Sequence, residues 1–302
     1  MADILYVAKH RESDMIDIHM HIVKLWGGKD DLTGKALMRA MDRRGVDRFV
    51  ILPAGVSPEV PCFYFGPEDV LKVYRKFPDR VIPFCDVDPR SGKNSPDTDF
   101  SWILNHYKEA GSKGLGEMTA NLYFDDPRCI NLFRQAGKFE FPVLFHLYTK
   151  LGGSYGLADD KGLPRLERAL KECPDTIFIG HAMAFWSEIS SEVTEETRGG
   201  YPSGPVKSTG RLQYLLKKYP NLYGDLSAGS GFNAITRDME YGYNFLEEFQ
   251  DKLLFGTDID ADKKNIPHIE YFREISEGRK ISKNAYDKIT EKNAVRILKL
   301  KS

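Results

Sequence analysis

Long apolar runs are missing from this chain: none approaches the roughly 20 residues that span a bilayer. The opening stretch, MADILYVAKHRESD, is too polar for a secretory signal. Charge of one sign is missing too, with 43 Lys and Arg against 44 Asp and Glu in 302 residues. That balance gives no reason to expect nucleic acid or an anionic membrane as partner. Cysteine is sparse. Cys62, Cys85, Cys129 and Cys173 are far apart and form no C-x-x-C pair, which reads as free thiols in a reducing compartment. A thiol nucleophile is set aside, because buried cysteine is usually inert packing. The expectation is a soluble cytoplasmic protein acting on a small molecule, with a homo-oligomer left open.

What is present is a repeating unit. Eight short apolar or β-branched runs recur: MIDIHMH (15–21), VDRFVILP (46–53), RVIPFCDVD (80–88), GSKGLGEM (111–118), FPVLFHL (141–147), DTIFIGHA (175–182), NLYGDLSA (221–228) and DKLLFGTDI (251–259). Several are too continuously apolar for one-sided antiparallel strands and suit parallel strands buried on both faces. Helical patterns lie between them. PEDVLKVYRKFP opens with proline and acids and closes with bases and proline, which fits a helix dipole and its boundaries. LPRLERALKECP and RLQYLLKKYP follow the same grammar. Alternating strand and helix predict one (β/α)8 TIM barrel over residues 1–302. An open doubly wound sheet is the runner-up, but no Gly-rich phosphate turn follows the first strand.

Active sites of barrels form where strands end. His19 and His21 end the first run, Glu117 the fourth, His146 the fifth, His181 the sixth and Asp258 the eighth. Alternate strand residues share a face, so His19 and His21 can both point into the barrel mouth. An isolated buried histidine is more often a hydrogen-bonded core residue than a ligand. Four imidazoles and two carboxylates at one end of one barrel are better explained by a compensating cation, since burying them without one costs desolvation energy. The mixed set suits a borderline divalent ion, zinc first, with manganese, iron or nickel also compatible.

DIHMH, PVLFH, FIGHA and LLFGTD resemble the metal-binding strand ends of the amidohydrolase superfamily. The resemblance is strongest to the branch containing aminocarboxymuconate-semialdehyde decarboxylase, and extends to NLYGDLSAGSG and EKNAVRIL. It implies that His19, His21, His146 and Asp258 hold a metal, with His181 beside it as acid or base. GLGEM departs from that pattern. Glu117 sits where other branches, such as the TatD-like nucleases, bridge two metals with a glutamate. The reading therefore leans to two ions, with His146 and His181 on the second, because an unpaired carboxylate beside imidazoles is costly. Pairing with an Arg or Lys behind the ligands is the alternative role for Glu117.

The chemistry expected first is hydrolysis of an amide, ester or lactone by activated water, with Asp258 accepting the proton. Metal-dependent non-oxidative decarboxylation of a small unsaturated or aromatic acid is the alternative, and a metal-containing binding protein without turnover a third. Trp26, Tyr123, Tyr148 and Trp186 follow the polar strand ends and suit a planar substrate. Ser227 could donate a hydrogen bond to it, and Arg237 could clamp a carboxylate. Ordinary loop packing explains these six equally well.

Overall fold

A computed structural model describes residues 15–22, 34–60, 66–260 and 266–301. Its strands are β1 (Ile16–Met20), β2 (Arg48–Ile51), β3 (Val81–Pro83), β4 (Leu115–Met118), β5 (Val143–Tyr148), β6 (Leu157–Ala158), β7 (Phe178–His181), β8 (Leu222–Asp225) and β9 (Leu253–Leu254). All their pairings are parallel. One sheet runs β1-β2-β3 and the other β4-β5-β7-β8-β9, with β6 attached only to β5. Two bridges join the sheets into a ring. Cys85 pairs with Leu115, and Met20 pairs with Ile259. The first seam is held by Cys85 N–H to the Gly114 carbonyl (2.9 Å) and Gly116 N–H to the Cys85 carbonyl (2.7 Å). The second is held by Ile18 N–H to Phe255 (3.0 Å) and Asp258 N–H to His19 (2.7 Å). The eight expected strands thus form a TIM barrel, and β6 is an addition the sequence pattern did not separate.

Helices pack outside because their apolar faces match the outward strand positions. In Pro67–Lys76, Pro67 starts the helix without wasting an N–H, Glu68 and Asp69 meet the positive end, and Arg75 and Lys76 the negative end. Its Val70, Leu71 and Val73 are buried. Inside the ring a second core gathers Ile18, Val50, Ile82, Leu144, Ile179 and Tyr223. Two residues further along their strands, on the same face, stand His146, His181 and Asp225. The barrel interior therefore changes from aliphatic to ionisable toward the strand ends. Among the described residues, no helix is long and apolar enough to cross a membrane.

Candidate metal centre

Two irregular strands bring their ligands to the mouth. In β1 the pairing register shifts between Asp17 and Met20, so that both Ile18 and His19 belong to the interior. In β4 it shifts between Leu115 and Met118. Gly116 makes that second shift practicable: its φ is +142°, and a Cβ there would lie 2.4 Å from the Leu144 carbonyl oxygen. The glycine in GLGEM is thus part of how Glu117 enters the barrel.

The histidines are oriented from behind. His19 Nδ1 donates to Asp225 Oδ2 at 2.6 Å, and His21 Nδ1 donates to the Leu52 carbonyl at 3.0 Å. With those protons fixed, each neutral ring keeps its lone pair on Nε2. The two Nε2 atoms face each other 3.1 Å apart. Two lone pairs at that distance repel unless a proton or a cation lies between or beside them. Asp258 Oδ1 stands 3.6 Å from both, and Glu117 Oε2 is 3.3 Å from His21 Nε2 and 3.8 Å from His19 Nε2. Ligand atoms of His19, His21 and Asp258 all lie within 4.8 Å of one another, as do those of His19, Glu117 and His181. Buried imidazole nitrogens and carboxylate oxygens converging at this spacing fit a divalent cation.

The electrostatics agree. Burial opposes charge on Glu117, His181 and Asp225, but their neighbours outweigh it. The hydrogen bond from His146 and the nearby imidazoles of His21 and His19 hold the Glu117 carboxyl well below its usual range. His181 loses solvent, yet its hydrogen bond to Asp225 and the charges of Asp225, Glu117 and Asp258 push it up to about 9. Asp225 is lowered by His19 and His181 against the same burial. Its Oδ2 receives the Ser227 hydroxyl at 2.7 Å and lies 3.1 Å from His181 Nδ1. His181 therefore turns Nε2 toward the cavity, 4.0 Å from Glu117 Oε1. His146 Nδ1 donates to that same oxygen at 2.8 Å.

All six ionisable residues expected at the mouth are brought together. The expected substrate contacts fare differently. Trp186 is buried, donates Nε1–H to the Asp225 carbonyl at 2.8 Å and packs edge-on against Phe245. Ser227 is fully buried and spends its hydroxyl on Asp225. Both support the site from behind rather than line it. Tyr123 is exposed and lies under Arg165, whose guanidinium sits 3.9 Å from the ring centre. Tyr148 and the half-buried Arg237 also stand outside the cavity lining, and Trp26 lies outside the described residues. Among the described residues, the phenol ring that lines the cavity is Tyr155, with Thr119 and Asp260 among its polar neighbours. Asp225 and Asp17 were missed by the sequence reading. Asp17 Oδ1 accepts from the backbone N–H groups of His19 and Thr257, both at 3.0 Å, and so ties the first strand to the last. Burial pushes its carboxyl up to about 7. The available signal was strand alternation in NLYGD, which puts Asp225 two residues beyond an inward tyrosine.

A family model described as Amidohydrolase matches residues 16–300. No curated protein matches the chain. Among solved structures, 2,6-dihydroxybenzoate decarboxylase complexed with 2,6-dihydroxybenzoate aligns with a TM-score of 0.63 at 17% identity, over 95% of this chain and 99% of that one. A dihydroxybenzoic acid decarboxylase from a Polaromonas species, with bound manganese and the inhibitor 2-nitroresorcinol, aligns at 0.60 and 18%, over 95% and 97%. The 5-carboxyvanillate decarboxylase of Sphingomonas paucimobilis aligns at 0.59 and 15%, over 95% and 99%. These neighbours correct the first expectation, hydrolysis of an amide, ester or lactone: they are decarboxylases. The physical reason is that a cation beside a proton carrier serves either reaction, so the ligand set alone could not separate them. The role of Asp258 as base toward an attacking water goes with that correction. A match over nearly the whole chain, on a barrel with this cluster at its mouth, places the protein in the amidohydrolase family.

Proposed function

We propose that this protein is a divalent-metal-dependent, non-oxidative decarboxylase of a small aromatic or unsaturated acid. The observation that carries the metal dependence is the pair of inward Nε2 atoms 3.1 Å apart, faced by Asp258 and Glu117, and the likeness to decarboxylases supports the choice of reaction. His19, His21, Asp258 and Glu117 Oε2 would hold the ion. When bound, it supplies a Lewis-acid anchor for the substrate's carboxylate or adjacent oxygen. The manganese of the Polaromonas neighbour supports manganese beside the zinc expected from the ligand types.

One ion is favoured over the two expected from the sequence. That expectation rested on an unpaired glutamate, and Glu117 Oε1 already accepts from His146 Nδ1. One ion also leaves His181 free for proton transfer. With Asp225 holding its Nδ1 side, His181 would carry a proton on Nε2 toward the cavity. In the reaction the bond to the carboxyl carbon breaks and carbon dioxide leaves. The electron pair stays on the substrate carbon, which takes the His181 proton. Solvent then reprotonates His181.

The test is carbon dioxide release by metal-loaded protein from 2,6-dihydroxybenzoate, 5-carboxyvanillate and a set of enoic acids. Release that depends on the metal and on His181 is expected. No release from any acid by a fully metallated sample overturns the reading.

A further inference from the structure

Between β5 and β6 the chain returns through residues 149–156, TKLGGSYG. Parallel strands ordinarily need a crossover of about a dozen residues or more. This shorter return relies on glycine: Gly152 has φ +71° and Gly156 φ +109°. Leu151 through Ser154 are exposed, whereas Tyr155 turns inward, lines the cavity and sets its ring 4.7 Å from that of His146. Gly156 permits that approach, because a Cβ there would meet His146 Cδ2 at 2.7 Å and its carbonyl oxygen at 3.0 Å. The segment is fastened to the loop after β4. Gly156 N–H donates to the Thr119 carbonyl at 2.7 Å. The Asn121 side chain donates to the carbonyls of Lys150 (3.3 Å) and Gly156 (3.1 Å) and accepts from Gly152 N–H (2.5 Å). One side chain thus satisfies three backbone groups of an otherwise solvent-facing loop.

We infer that residues 149–156 are a flap over the metal cavity, latched by Asn121, and that Tyr155 is the residue it carries in to position an aromatic ring of the substrate against the His146 wall. The aromatic class of the substrate rests on the decarboxylase reading; the flap and its latch do not. Tyr155 acts through its ring: a flat apolar face beside a polar, cation-holding cavity orients a planar acid and excludes water from it. The flap is built for opening, having glycine hinges and few buried contacts at its tip.

The experiment uses the metal-loaded full chain and Tyr155→Phe, Tyr155→Ala and Asn121→Ala. The first readout is trypsin cleavage after Lys150, identified by fragment mass, with and without 2,6-dihydroxybenzoate. We expect that acid to slow cleavage of the wild type and of Tyr155→Phe at least about fivefold, and to give Tyr155→Ala no protection. Asn121→Ala, which removes all three of the hydrogen bonds its side chain makes to the loop, should be cut at least about tenfold faster than wild type without ligand, a loss within the net contribution of three such bonds. The second readout is steady-state turnover: Tyr155→Ala should raise KM about tenfold or more with a smaller change in kcat, and Tyr155→Phe should restore it. Wild-type cleavage and protection in both Tyr155→Ala and Asn121→Ala overturn the inference even if carbon dioxide is released. Protection that depends on Tyr155 without carbon dioxide release upholds the flap and overturns the decarboxylase reading instead.

Discussion

The imidazole of His19 is held from behind by the carboxylate of Asp225, Nδ1 to Oδ2 at 2.6 Å, from β1 to β8 past the intervening β9, with both side chains fully buried. This contact fixes the tautomer that leaves Nε2 a ligand. Asp225→Asn keeps the shape and removes the charge. Metal affinity, measured by competition with a chelator, should fall about ten- to a hundredfold, the usual cost of losing such a support. Unchanged affinity would show that His19 is oriented by the strand alone.

Metal content gives the second prediction. Metal analysis of a replete sample should count one ion per chain, and chelation should lower the melting temperature. Saturating ion at a thousandfold excess over Kd stabilises the folded state by about 4 kcal/mol. Glu117→Gln should weaken affinity, since a neutral amide is the poorer ligand. A stable count of two in the wild type, falling to one in Glu117→Gln, would restore the bridging role expected from the sequence.

His181 supplies the third. His181→Gln should retain one ion per chain and lose about a hundred- to ten-thousandfold in kcat, the usual scale for a lost proton donor. Loss of the metal in this variant would make His181 a ligand and leave the proton to another group.

Away from the mouth, Glu167 receives Arg211 Nη2 at 2.6 Å, the Tyr219 hydroxyl at 2.7 Å and Lys218 Nζ at 2.9 Å. Burial opposes its charge, but Tyr219, Lys218 and the nearby cations outweigh it and bring the carboxyl down to about 2. A carboxyl lowered on folding contributes stability above its unfolded value, near 4.5, and loses that contribution as pH falls toward 2. Glu167→Gln should therefore cost about 1–2 kcal/mol at pH 7 by urea denaturation, the size of hydrogen bonds to a charged group that is partly solvated. The gap should close between pH 4.5 and 2. A gap independent of pH would assign the effect to packing.

The sequence by itself determined the barrel and the residues gathered at its mouth. Strand and helix periods are local, and strand alternation with the strand-end rule is enough to send His146, His181 and Asp258 to one end of one ring. Parity alone did not prepare for Ile18 and His19 both facing inward, nor for Glu117 doing so, because each depends on a register shift set by pairing with a neighbouring strand. Alternation in NLYGD could turn Asp225 inward, but not assign it to His19, 206 positions away. Tyr155 was passed over for Tyr148 because a loop's direction depends on what fastens it, here Asn121 on another loop. Trp186 and Ser227 had the right places in the chain, yet they face Asp225 rather than the cavity. Which groups meet is decided by packing between distant segments, and only the tertiary structure holds that information. The choice between hydrolysis and decarboxylation lay outside the ligand set, since both use a cation and a proton carrier at the same strand ends.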